Sequence, residues 1–118
     1  HRYGNAIDPG RMRATYRAIR ETLGHGGEML YRYSGVEKEE STFIACSFWM
    51  VEALAAMGDT RAAGQTMEAL LTRFSGCGNT EIFNEMFDVR SGEWRGNMPQ
   101  GLSHLALICA AQALSDTL

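Results

Sequence analysis

The chain is poor in proline, with two in 118 residues, and poor in cysteine, with three. The cysteines, Cys46, Cys77 and Cys109, are far apart and odd in number, and none forms a CxxC pair. That excludes a disulfide framework and a structural zinc site of the usual spacing. Reduced thiols fit a cytoplasmic protein. Basic clusters are also missing, and the net charge is -3. A nucleic-acid partner and an anionic membrane surface are therefore not expected. The apolar runs carry polar breaks and are too short for secure membrane spans, and no signal peptide is expected ahead of the first helical pattern. Gly24 to Gly27 follow a helical pattern rather than a strand, so no phosphate-binding glycine loop is expected. His1, His25 and His104 are dispersed, and no metal or other cofactor is expected. His1-Arg2-Tyr3 lacks an initiator methionine, as a trimmed chain or a fragment would.

What is present fits one folded domain. Hydrophobic residues make up 45% and charged residues 21%, an ordinary globular balance. The length allows a single unit, 1–118, with a modest core. Four helices are expected. The first is capped by Asp8, opens with Pro9 and stops at Gly24. Its stripe of Met12, Tyr16, Ile19 and Leu23 marks an outer, half-exposed helix. The second runs from about Ser41, with Ser41 or Thr42 as cap, to Met57. It is apolar on all sides, with Glu52 its only charge, and reads as buried with Trp49 in the core. Gly58 turns the chain, and Asp59 caps a third, outer helix with the stripe Ala63, Met67, Leu70, Leu71 and Phe74. Ser75-Gly76-Cys77-Gly78-Asn79 breaks the chain. The last helix, from near Pro99 to about Leu114, has no charge and also reads as buried. His104 on it is expected to be a hydrogen-bonded core residue. The seven methionines are expected to be packing, and Cys46 and Cys109 inert thiols on apolar helices.

The order is outer, inner, outer, inner, with a repeat period of about 50 residues. A long loop precedes each inner helix. In the first, Tyr31-Arg32-Tyr33 reads as a short strand, and Glu37-Lys38-Glu39-Glu40 as a solvated charge run. In the second, Glu85 stands between Phe83 and Phe87, and a turn-forming run follows from Asp88 to Gly96. Ordered loops of this length usually carry function, and a carboxylate flanked by rings is a candidate acid or base. Trp94 is expected to cover a pocket mouth or a neighbouring subunit. Tyr31, Arg32, Tyr33, Glu39, Glu40 and Glu85 would converge at one end of the helical stack. Carboxylates, an arginine and aromatic rings suit a sugar, whose apolar face stacks on rings while its hydroxyls bind charged groups.

Three segments, LYRY (30–33), EESTFIACSFWMVEALAAMGD (39–59) and GEWRGNMPQGLSHLALICAA (92–111), closely resemble the C-terminal half of glycoside hydrolase family 15. That family includes glucoamylases, glucodextranases and bacterial trehalases. The similarity runs from about Arg11 to Ala111 with the segments in the family's order. The resemblance implies an all-α fold of helical hairpins, an α/α toroid of the six-hairpin glycosidase type. This chain would supply about two hairpins, four main helices, as a partial ring. It implies inverting hydrolysis of α-glucosides in carbohydrate metabolism. Glu85, in Asn84-Glu85-Met86-Phe87, matches the family's general base, although Met86 replaces the usual Gln or Glu. Arg32, flanked by Tyr31 and Tyr33, resembles the glucose-binding arginine. Phe43 resembles a pocket-wall aromatic, and Glu39 and Glu40 resemble the acidic pair ahead of the inner helix. The family's general acid lies in the earlier half of the catalytic domain, absent from this chain. Six such hairpins need roughly 300 residues. The chain alone is thus expected to be inactive. Its expected partners are an α-glucoside disaccharide or oligosaccharide, and the missing N-terminal part of the toroid or a self-associating copy. The competing reading is a non-catalytic helical-repeat interaction or carbohydrate-binding module. Gly58-Asp59-Thr60-Arg61-Ala62-Ala63 resembles tetratricopeptide-like hairpins, but those have short loops and a period near 34.

Overall fold

A computed structural model describes residues 8–75 and 82–117. The expected break at residues 76–79, Cys77 and the first residues of the chain lie outside the described residues. Among the described residues, four helices and a small sheet form an all-α arrangement of helical hairpins: α1 (Pro9–Leu23), α2 (Ile44–Ala56), α3 (Thr60–Ser75) and α4 (Gly101–Ser115). The strands are β1 (Thr42–Phe43), β2 (Met86–Asp88) and β3 (Glu93–Arg95), antiparallel in that order.

The amphipathic helices follow their stripes. Asp8 accepts hydrogen bonds from the N–H groups of Gly10 and Arg11, satisfying two donors that the first turn of α1 cannot pair internally. Met12, Tyr16, Ile19 and Leu23 are half-buried. In α3, Ala63, Met67, Leu70 and Phe74 are buried, whereas Leu71 is exposed. Gly58, at φ 79°, makes the left-handed turn between α2 and α3, and Asp59 caps α3 through Ala62 N–H. α2 packs against both α3 and α4.

The core is aromatic where α2, α3 and the sheet meet. Phe74 lies 5.2 to 6.0 Å, ring to ring, from Trp94, Phe83, Phe87 and Phe48. Trp94 also meets Phe87 edge-on at 5.3 Å. Trp94 is thus a packing residue of the core, not a lid. Phe87 on β2 pairs with Thr42 on β1 and Trp94 on β3, so one face of the sheet completes this cluster.

Several other expectations are corrected. The Asp88–Gly96 run is a β-hairpin rather than a plain turn. Tyr31-Arg32-Tyr33 is a bend, and the strand ahead of α2 is Thr42–Phe43. α2 has no side-chain cap. Thr42 is buried, and its hydroxyl donates instead to the Phe87 carbonyl at 2.6 Å. Trp49 is 44% exposed on α2 rather than core. α4 is only partly covered: Ser103, Ala106 and Ala110 face the chain, while Leu102, Leu105 and Ile108 are 41, 60 and 62% exposed. These three recur every three residues and form one ridge. No helix among the described residues is long and apolar enough to cross a membrane.

Candidate functional site

Glu85 sits in the bend just before β2. Phe83 and Phe87, two residues to either side, are buried in the aromatic core, while Glu85 is half-buried. The bend thus takes the carboxylate off the buried face that simple alternation would assign it. Its backbone is tied in two directions. The Glu85 carbonyl accepts from Ile44 N–H at 3.1 Å, and Ile44 is the first residue of α2. This bond, to a residue forty-one positions downstream, satisfies a donor that the missing side-chain cap leaves open. Glu85 N–H donates to the Asn97 carbonyl at 3.0 Å, and Glu85 Oε2 accepts from Asn97 N–H at 3.3 Å. Gly96 comes so close that a Cβ there would lie 2.7 Å from Glu85 Oε2 and 2.8 Å from Glu85 Cβ. Its φ of 75° is also one that side chains disfavour.

The first loop supplies the cation. Arg32 Nε donates to Glu40 Oε2 at 3.1 Å, and Arg32 Nη2 to Glu40 Oε1. This two-pronged pairing matches the planar geometry of both groups. The Tyr33 hydroxyl donates to Glu40 Oε1 at 3.3 Å. The guanidinium carbon lies 5.3 Å from the Phe43 ring centre and 5.4 Å from that of Tyr33, within cation–π range. The Glu40 hydrogen bond, first, and the charges of Glu40, Tyr33 and Glu85 push the Arg32 pKa further up against desolvation, so the charge is permanent. Glu85 is therefore within electrostatic reach of Arg32. Burial pushes the Cys46 thiol up to about 11 despite the positive charge of the same arginine, leaving it protonated at neutral pH.

Arg32, Tyr33, Glu40, Phe43 and Glu85 thus come together at the N-terminal end of α2. Two of the expected residues stand apart. Tyr31 is buried with its ring 5.3 Å from that of His25. Glu39 is exposed on the turn, where its backbone N–H donates to the Val36 carbonyl. The charge run is solvated at Glu37, Lys38 and Glu39 but not at Glu40, which is half-buried and paired. Gly96 and Asn97, in contact with Glu85, are the additions that sequence reasoning missed. The only hint was a glycine–asparagine step just after a charged hairpin. Among the described residues, no cluster of three His, Cys, Asp or Glu side chains is arranged to hold a metal ion. The assembly can orient a polyhydroxylated ligand: a fixed cation, the exposed ring of Tyr33, and a carboxylate with one oxygen not engaged by Asn97.

No family model and no solved structure matches the chain. Curated relatives do. The chain is 40% identical over 114 residues to a trehalase of Mycolicibacterium smegmatis, covering 92% of this chain and 16% of that protein. It is 40% identical over 108 residues to a trehalase of Mycobacterium tuberculosis, covering 87% of this chain and 15% of that protein. To a trehalase of Thermoplasma acidophilum it is 30% identical over 105 residues, covering 86% of this chain and 18% of that protein. The chain therefore spans less than one-fifth of the length of these curated relatives, and its likeness is to a single stretch of a trehalase-like glycosidase.

Proposed function

We propose that the chain is the closing part of a trehalase-like catalytic domain of the glycoside hydrolase family 15 type, with Glu85 as general base. The observation that carries this reading is the placement of the Glu85 carboxylate between the start of α2 and Asn97, within reach of the Arg32 charge. Arg32 and Glu40 would bind hydroxyls of the glucose at the cleaved bond, with Phe43 and Tyr33 beside its apolar face. Tyr31 and Glu39, which stand outside this group, would act on the sugar only indirectly. In inversion the carboxylate removes a proton from a water that attacks the anomeric carbon, while an acid on the opposite side protonates the departing oxygen. The two groups in such sites stand roughly 6.5–9.5 Å apart, leaving room for that water. The acid would come from the part of the relatives' length that this chain does not span. The ridge of Leu102, Leu105 and Ile108 supports an incomplete ring, because an exposed apolar patch on a charge-free helix marks a surface meant to be covered.

The test exchanges residues 11–111 into the matching stretch of the Mycolicibacterium smegmatis trehalase and measures glucose released from trehalose. Glu85→Gln in the exchanged protein should lower kcat by about 10²–10⁴-fold with KM little changed. A variant that keeps the parent rate would remove Glu85 from the chemistry. The chain by itself is expected to release no glucose from trehalose or maltose.

A further inference from the structure

The two residues before Glu85 are bound to the first turn of α4 at successive backbone groups. Phe83 N–H donates to His104 Nε2 at 3.2 Å, and the Phe83 carbonyl accepts from Gln100 N–H at 2.9 Å. The Asn84 carbonyl accepts from the Ser103 hydroxyl at 2.8 Å, and Ser103 is fully buried. The first turn of α4 also has no side-chain cap of its own, since Gln100 at the cap makes no such bond. Ser103 and His104, which at a helix start could serve the helix itself, are both directed at the Phe83–Asn84 segment.

The bonds fix the form of the imidazole. A backbone N–H can only donate, so Nε2 must carry the free lone pair, and the ring proton is on Nδ1. That nitrogen lies 2.8 Å from the Gln100 carbonyl and donates to it. His104 therefore bridges two backbone groups of different segments, with its ring also 5.4 Å from that of Phe83. Replacing it by a residue with no acceptor leaves Phe83 N–H unpaired in a half-buried site. With α4 holding Phe83 and Asn84, and Asn97 and Ile44 holding Glu85, the carboxylate inherits its place from the helix rather than from its own rotamer alone.

We propose that Ser103 and His104 are positioning residues for the Glu85 carboxylate, acting through the backbone of Phe83 and Asn84. This rests on the reading of Glu85 as general base, but the placement itself is measured separately from catalysis. The variants are Ser103→Ala, His104→Leu and His104→Gln, the last keeping an acceptor that can reach Phe83 N–H. Met67→Ala, in the buried stripe of α3, serves as a control for general destabilisation. In the full chain, long-range nitrogen spectra should show the His104 proton on Nδ1. Ser103→Ala and His104→Leu should move the Glu85 carboxyl carbon resonance and perturb the Asn97 amide resonance, with His104→Gln falling between them and the wild type. Met67→Ala should lower the thermal midpoint and leave both signals in place.

In the exchanged trehalase, Ser103→Ala and His104→Leu should lower kcat by about tenfold or more at nearly constant KM. The proposal is overturned if the two variants lower the thermal midpoint as Met67→Ala does while Glu85 and Asn97 signals stay unmoved, or if the proton sits on Nε2. Should His104→Leu fail to fold, Ser103→Ala, which deletes one hydroxyl, decides alone. Unchanged kcat in Glu85→Gln together with shifted Glu85 signals in Ser103→Ala would instead refute the general-base reading and leave the placement standing.

Discussion

Gly96→Ala separates backbone strain from crowding at Glu85. Gly96 and Gly92 both have positive φ, 75° and 72°. An alanine in that region costs about 1–2 kcal/mol by its Cβ alone. At Gly92 nothing lies within 4 Å of a new Cβ, so that strain is the whole effect. At Gly96 the new Cβ would stand 2.8 Å from Glu85 Cβ and 3.1 Å from Met86 Cε. Carbon atoms rest about 3.5–4.0 Å apart, so Glu85 or the Gly96 backbone must move by roughly 0.7–1.2 Å. Overpacking of this kind costs a further ~1–3 kcal/mol. Gly96→Ala should therefore lose about 2–5 kcal/mol in urea unfolding, and Gly92→Ala about 1–2 kcal/mol. In the exchanged trehalase a shift of about 1 Å at the base should lower kcat on the order of 10²-fold for Gly96→Ala and leave Gly92→Ala near the parent rate. Equal losses for the two variants, in both assays, would refute the claim that Gly96 sets the position of Glu85.

Other consequences can be checked with the same preparations. Phe74→Ala removes the ring that touches four other aromatics and should cost ~3–5 kcal/mol in urea unfolding, a large share of the ~5–15 kcal/mol typical of a domain. Leu105→Lys with Ile108→Lys, on the exposed ridge, should change the stability of the isolated chain by less than about 0.5 kcal/mol per site yet abolish concentration-dependent association in sedimentation velocity. Asp88 accepts a hydrogen bond from Arg90 N–H, the main cause holding its carboxyl below the ordinary 3.8, with Ser91 N–H and the charges of Arg90 and Arg95 adding. A lowered folded-state pKa contributes stability above the unfolded value and loses it as pH falls through the folded one. Asp88→Asn should therefore lower the urea midpoint at neutral pH, and the gap from wild type should shrink as pH falls below 3.8.

Legibility in the sequence tracked how local each cause was. α1 and α3 were readable because one stripe and one aspartate define each of them. The cluster of Arg32, Tyr33, Glu40, Phe43 and Glu85 was readable as a list of residue types ahead of the apolar helices. Its pairing was not, since Arg32 and Glu40 meet only after the chain turns at Gly35 and Val36. The sheet was missed because strands of two and three residues are too short to show alternation. The start of α2 was misjudged because its first N–H is satisfied by Glu85, far along the chain, so local capping rules had nothing to detect. A helix apolar on every side does not reveal which side is covered. Trp49 was therefore assigned inward although it is exposed, and Trp94 outward although it packs in the core. The same property misled for α4, whose apolar residues exceed what this chain can cover.

The rim of the sheet has a consequence for assembly. β1 is two residues long and runs straight into a helix, while β3, at the other margin, offers three residues of which Glu93 and Arg95 are charged and joined to each other at 2.6 Å. Neither margin gives a strand from another molecule enough backbone to pair with, and charges at an edge discourage it further. Growth of this sheet by strand addition is therefore disfavoured at both of its margins.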